Sequence, residues 1–124
     1  MSVENTNPAM STEETKREVQ DYYSQTLKTS ADLQTNACCL ASDGGMPPSH
    51  MELYMKIHET IRNKFYGCGS PLPEDLTGLT VLDLGCGTGR DIYIASGLVG
   101  ETGKAIGIDM TPEQVATARE FQEY

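Results

Sequence analysis

Apolar residues recur at helical spacing in the first half of this chain and gather into short β-type runs in the second. Residues 1–10 are polar with one proline and are expected to form a disordered lead-in. The stretch "STEE" then reads as a capping box, in which the Ser11 hydroxyl takes the Glu14 amide and Glu14 reaches back. Val19, Tyr22, Tyr23 and Leu27 follow at helical spacing and predict a helix over about 12–27. Residues 30–48 are loop-like, punctuated by Gly44, Gly45, Pro47 and Pro48. "SHME" reads as a second capping box, Ser49 with Glu52. Leu53, Ile57, Ile61 and Phe65 would line one face of a single helix after it, with Gly67 as its left-handed stop.

After the turn-rich connector 67–78 the period changes. "LTVLDL", Leu79 to Leu84, is a short apolar β-type run. "GRDIYIASGLVG" is helix-like, with Ile92, Leu98 and Val99 for packing. "KAIGID", Lys104 to Asp109, reads as a second strand, and "TPEQ" opens another helix with Thr111 as N-cap, Pro112 at N1 and Gln114 at N3. The second half is therefore β-α-β-α, an α/β pattern whose strands should run parallel with a right-handed crossover. The last helix is still amphipathic at Tyr124, the ending expected of a truncated domain.

Composition narrows the class. At 124 residues the chain suits one small domain, and 38% hydrophobic with 22% charged residues is a globular balance. The net charge of −9 argues against a nucleic-acid partner or adsorption to anionic lipid, both of which need clustered Lys and Arg. "MSVENTNPAM" has no basic n-region or apolar h-region, and no apolar run approaches the ~20 residues of a membrane span. The expectation is a cytosolic, monomeric protein whose four cysteines are thiols or ligands and not structural disulfides.

The most specific stretch is "VLDLGCGTGRD", Val81 to Asp91. Gly85, Gly87 and Gly89 stand where a strand turns into a helix, so a ligand can approach bare backbone near the positive helix end. The spacing is G-x-G-x-G, and position 90 is Arg where a dinucleotide fingerprint would have its third glycine. Asp83 precedes the glycines by two; beside a pyrophosphate a carboxylate would be repulsive, whereas a ligand with a cationic end suits it. S-adenosylmethionine (AdoMet), with its α-ammonium and sulfonium, is such a ligand. Asp109, at the end of the second strand, is placed to accept from ribose hydroxyls, and Met110 beside it is included in the cofactor site. An NAD- or FAD-binding turn and a glycine-rich turn with no ligand are the alternatives.

The cysteines are less specific. Cys86, inside the glycine loop, reads as a small buried hydrophobe. Cys38 and Cys39 are adjacent in "LQTNACCLAS", and Cys68 lies in "FYGCGS". There is no C-x-x-C, and His50 and His58 read as solvated rather than ligating.

The segments "VQDYYSQTLKTSADLQTNACC" and "NKFYGCGSPLPEDLTGLTVLDLGCGTGRDIYIASGLVGETGKAIGIDMTPEQV" resemble the arsenite methyltransferases, from about Val19 onward. The pieces "SADLQTN-x-C" and "YGCG" are specific to that family, whereas "LDLGCGTGRD" is common to many AdoMet enzymes. The resemblance implies an incomplete Rossmann-like class I AdoMet-dependent methyltransferase fold preceded by two N-terminal helices: a cysteine-bearing helical segment 11–78 and a first β-α-β-α unit 79–124. It implies methyl transfer from AdoMet to trivalent arsenic presented as a thiol conjugate, with a thiol reductant such as glutathione or thioredoxin. Cys68 matches the arsenic ligand, Cys38 a cysteine of thiol exchange, Tyr66 a tyrosine lining the AdoMet site, and Cys39 no family cysteine. Soft trivalent arsenic suits thiolate ligands, and its lone pair can attack a sulfonium methyl without a general base, so catalysis would be mostly orientation.

Family members are roughly three times as long, and the resemblance implies two further cysteines downstream of the second strand. A strand that should be central keeps an open edge, and little or no turnover is expected of the chain alone. Another class I methyltransferase, or a non-catalytic thiol fragment that binds arsenic, are the alternatives.

Overall fold

The computed structural model describes residues 11–26, 28, 46–65 and 69–123. Helix α1, Thr12–Asp21, starts at the capping box read from the sequence: the Glu14 amide donates to Ser11 Oγ at 3.2 Å and the Ser11 amide to Glu14 Oε2 at 2.9 Å. It does not continue as one α-helix; Tyr22–Thr26 form a π-helical turn, and Leu27 lies outside the described residues. Tyr22 and Tyr23 pack edge to face there.

The next segment departs from expectation in two ways. Helix α2, Pro48–Lys56, begins with Pro48 at N1, which makes Pro47 the N-cap, and no side-chain cap bond forms. Ser49 is already inside the first turn, so the Ser49–Glu52 capping box does not exist; Glu52 instead pairs with Lys56 one turn on, at 3.0 Å. The apolar stripe also does not belong to a single helix. Ile57 turns extended (φ −74°, ψ 139°), and a separate helix α3, Glu59–Asn63, follows. His58 caps it, its Nδ1 accepting from the Thr60 amide at 3.2 Å, so three helices stand where two were expected. The Leu53–Ile57–Ile61 spacing survives because the break still turns Ile57 and Ile61 into the same cluster as Ile94. Gly67 lies outside the described residues.

The second half follows the sequence reading closely. Strand β1, Thr80–Leu84, helix α4, Arg90–Val99, strand β2, Lys104–Ile108, and helix α5, Pro112–Glu120, come in that order. The two strands pair in parallel, with Thr80 opposite Lys104 and Leu84 opposite Ile108. Thr111 is the N-cap and Pro112 stands at N1, although the threonine side chain makes no cap bond. Alternation along β1 sends Val81 and Asp83 toward α4 and Leu82 and Leu84 into solvent.

Two apolar clusters hold these layers together. Ile57, Ile61 and Ile94 join the short helices to α4, and Leu76, Ala95 and Val99 join α4 to the sheet. Leu53 of α2 lies directly over Gly97 of α4, where a Cβ would stand 2.5 Å from its nearest atom. The histidines are not solvated: the His58 ring stacks on Phe121 at 4.0 Å, and His50 is fully buried with neither ring nitrogen hydrogen-bonded. The opposite face of the sheet is bare, with Leu82, Leu84 and Ile108 each more than half exposed. No helix among the described residues is long and apolar enough to cross a membrane.

Candidate functional site

The two strands end side by side, and both chain exits turn into the same space. A cavity of about 870 Å³ opens there, lined by Asp83, the glycine loop, Asp109, Met110, Thr111 and Gln114. Gly85 and Gly87 sit at φ 77° and 57°, conformations that side chains other than glycine rarely adopt. A Cβ at Gly85 would meet open space, and one at Gly87 would come only within 4.0 Å of Gln114 Oε1, so the backbone is bare toward the cavity. Gly89, at φ 96°, is the N-cap of α4.

Four of the loop amides are already used, however. Gly85 and Cys86 both donate to the Ile108 carbonyl, at 2.8 and 3.0 Å, and Gly89 donates to the Cys86 carbonyl at 2.9 Å. Gly87 donates to Asp109 Oδ2 at 2.9 Å, and Thr111 donates to the other oxygen, Oδ1, at 2.8 Å. Asp109 is therefore more than a group at a strand end: it staples the β1–α4 turn to the β2–α5 turn. Each carboxylate oxygen keeps a lone pair for a further donor.

What faces the cavity is thus rich in acceptors. Burial pushes the Asp83 carboxyl above its ordinary value, and the charges of Asp91 and Asp109 push it further the same way. Gln114 Oε1 is buried and accepts nothing, while its Nε2 donates to the Tyr23 carbonyl at 3.0 Å. Gln20 Nε2 donates to the Met110 carbonyl at 2.6 Å, so the end of α1 and its π turn lie against the same rim. A phosphate would find the amides of Gly85, Cys86, Gly87 and Gly89 already occupied. A cation and a set of hydroxyl donors would meet two carboxylates there.

Cys86 behaves as a packing group. Burial, helped by Asp109 and Asp83, raises its thiol above the ordinary range, and its Sγ fills the space over Gly107, where a Cβ would stand 2.8 Å away. Asp83, Gly85, Gly87, Asp109 and Met110 line one cavity, and Gly89 caps α4 beside it. Tyr66, Cys68, Cys38 and Cys39 lie outside the described residues. Sequence reading took Gln114 only as a helix position; its spacing of five after Asp109, on the first turn of α5, was the signal available. Arg90 likewise counted only as a missing glycine. It is 9% exposed, and its Nε and Nη2 donate to Asp91 Oδ1 at 2.8 and 2.6 Å.

Residues 75–123 match a methyltransferase-domain family. With the parallel pair, the glycine turn and the strand-end acid, this defines the second half as part of a Rossmann-like class I methyltransferase fold, the class whose members use AdoMet. The chain is 47% identical to the arsenite methyltransferase of Rattus norvegicus over 90% of its length, and 46% identical to that of Homo sapiens over the same share. A solved arsenic(III) S-adenosylmethionine methyltransferase from Chlamydomonas reinhardtii superposes with a TM-score of 0.60 at 44% identity, covering 62% of this chain and 26% of that one. The chain is thus similar to a portion of the arsenite methyltransferases. It spans about 30% of the length of the curated relatives it matches.

Proposed function

We propose that this chain is the AdoMet-binding and thiol-bearing portion of an arsenite methyltransferase, acting on trivalent arsenic as a thiol conjugate in arsenic detoxification. The observation that carries the reading is the pair of carboxylates, Asp83 and Asp109, lining the cavity beside a bare glycine turn whose Gly85, Cys86, Gly87 and Gly89 amides are already used. That acceptor set fits AdoMet, and its two carboxylates would repel a pyrophosphate. Asp83 would meet the cationic end, Asp109 the ribose hydroxyls, and Gly85, Gly87, Gly89, Met110 and Tyr66 the remainder. Bound AdoMet supplies an electrophilic methyl on a sulfonium.

The chain's own part is orientation. The bare glycine turn lets the ligand lie close, and the two carboxylates fix which end faces in. Cys68 is the arsenic ligand and Cys38 the thiol that exchanges with a downstream partner; trivalent arsenic is soft and thiolates are its natural ligands. The part 11–78 brings the thiols, and 79–124 brings the cofactor cradle. The setting is cytosolic, where glutathione or thioredoxin keeps the thiols reduced, and the chain is a monomer. In a whole enzyme of this kind, further thiolates complete the arsenic ligand set.

Calorimetric titration with AdoMet and with NAD tests the cradle, and titration of arsenite pre-mixed with glutathione tests the thiols. The expected result is heat with AdoMet and none with NAD, and arsenic binding that Cys68→Ser abolishes. Binding of NAD in preference to AdoMet, or arsenic binding indifferent to Cys68, would overturn the reading.

A further inference from the structure

The cavity is hostile to one end of the ligand proposed for it. AdoMet carries an α-carboxylate beside its α-ammonium, and Asp83 and Asp109 repel that carboxylate as they would a pyrophosphate. Gly85, Cys86, Gly87 and Gly89, whose amides could receive an anion, already donate elsewhere. The negative end of the ligand therefore needs a cation in the cavity wall.

Among the described residues that line the cavity, Arg90 and Lys64 are the cations. Arg90 is already engaged: its Nε and Nη2 share one oxygen of Asp91, and Nη2 also donates to the Gly69 carbonyl. Its guanidinium carbon lies 3.2 Å from the centroid of the Phe65 ring. A guanidinium stacked on its face and bonded at its edge is held in place, and Asp91 neutralises it there. Lys64 stands differently. It is the half-buried C-cap of α3, where its amide donates to the Ile61 carbonyl at 3.2 Å. No carboxylate among the described residues pairs with it. The next residue is Phe65, so the stacked ring fixes the lysine backbone near the first turn of α4. From there a flexible four-carbon stem lets the ammonium follow a ligand in the cavity.

We propose that Lys64 receives the α-carboxylate of AdoMet while Asp83 takes the α-ammonium, so that the two residues together read the amino-acid end of the cofactor. The proposal rests on the reading of this cavity as an AdoMet site. Asp83 alone selects a cation, and Lys64 in the same cavity narrows the choice to a zwitterion. Without the lysine, the carboxylate would lie among acids with nothing to offset them. A charge-assisted bond to a half-buried group stands at the lower end of its range, roughly tenfold in affinity.

The test is calorimetric titration of the whole chain with AdoMet and with decarboxylated AdoMet, at about 0.15 M salt so that distant charges are screened. Lys64→Met keeps a stem without the charge, and Lys64→Arg keeps the charge. Lys104→Met removes the same charge from the start of β2, away from the cavity lining. Lys64→Met should weaken AdoMet about tenfold and decarboxylated AdoMet by less than about twofold. Lys64→Arg should retain most of the AdoMet affinity, and Lys104→Met should shift both ligands by less than about twofold. Equal weakening of both ligands by Lys64→Met overturns the proposal, because it reports a damaged wall and not a lost carboxylate contact. So does a Lys64→Met chain that binds both as the unaltered chain does, the result expected if backbone amides hold the carboxylate. In either case AdoMet still binds the unaltered chain, and the reading of the cavity stands. An unaltered chain that binds neither ligand overturns that reading, and the proposal falls with it.

Discussion

Asp109→Asn isolates the joint between the two turns of the site. Asp109 accepts from the Gly87 amide on one oxygen and from the Thr111 amide on the other. Asparagine keeps one acceptor oxygen and offers an NH₂ to the remaining amide, so one bond becomes a donor facing a donor. A hydrogen bond to a charged acceptor contributes roughly 1.5–3 kcal/mol, and a stranded buried donor costs roughly 1–3 kcal/mol more. Asp109 is only half-buried, so water relieves part of this and the lower ends apply, giving about 2–3 kcal/mol. A chain of 124 residues has roughly 6–19 kcal/mol to lose. The substitution should therefore leave it folded but lower the melting temperature by roughly 10 °C. Urea denaturation followed by circular dichroism measures the loss. Hydrogen exchange locates it, because protection should fall first at the Gly87 and Thr111 amides. A variant within about 0.5 kcal/mol of the unaltered chain, the usual scatter for surface changes, with Gly87 still protected, would refute the stapling argument.

Two further outcomes follow from the same geometry. Asp83 has its folded-state pKa raised from 3.8, by burial first and then by Asp91 and Asp109. Its contribution to stability is thus present below pH 3.8 and lost as pH rises through the raised value. Asp83→Asn should accordingly stabilise the ligand-free chain at neutral pH while weakening AdoMet binding by about tenfold or more. In the unaltered chain, AdoMet affinity should fall as pH drops through that raised pKa, and calorimetry across pH checks both; undiminished binding by the asparagine variant counts against the role. Gly107→Ala drives a Cβ to 2.8 Å from Cys86 Sγ and 3.0 Å from its Cβ. It should cost about 1–3 kcal/mol, with Cys86→Ala recovering part of that in a double-mutant cycle; strict additivity of the two would contradict the contact.

The second half was legible because each signal there is local and they agree. "LTVLDL" has β-type residues, the three glycines mark the turn, and Thr111–Pro112 marks the next start, so β1, α4, β2 and α5 fall within a residue or two of expectation. The first half misled where one local signal competed with another. Pro48 at N1 displaced the cap that Ser49 and Glu52 advertised. The 3.6-residue period of Leu53, Ile57 and Ile61 reported a shared burial face, and burial does not require the backbone between them to stay helical. His50 and His58 were unreadable for another reason: whether an imidazole on a short helix is covered depends on α4 and on Phe121, far away in sequence. The acids of the site were legible by spacing, whereas Gln114 and Arg90 act through partners at positions 23, 65 and 69 that no local pattern connects to them.

The uncovered side of the sheet places a colloidal condition on handling this chain. Leu82, Leu84 and Ile108 form an adhesive strip, and what keeps two copies from meeting there is mutual repulsion from a net charge of −9. That repulsion vanishes toward the isoelectric point near pH 4.5 and is screened by salt. Mild acid is thus where the molecules cease to hold one another off, and light scattering belongs beside every titration carried out there.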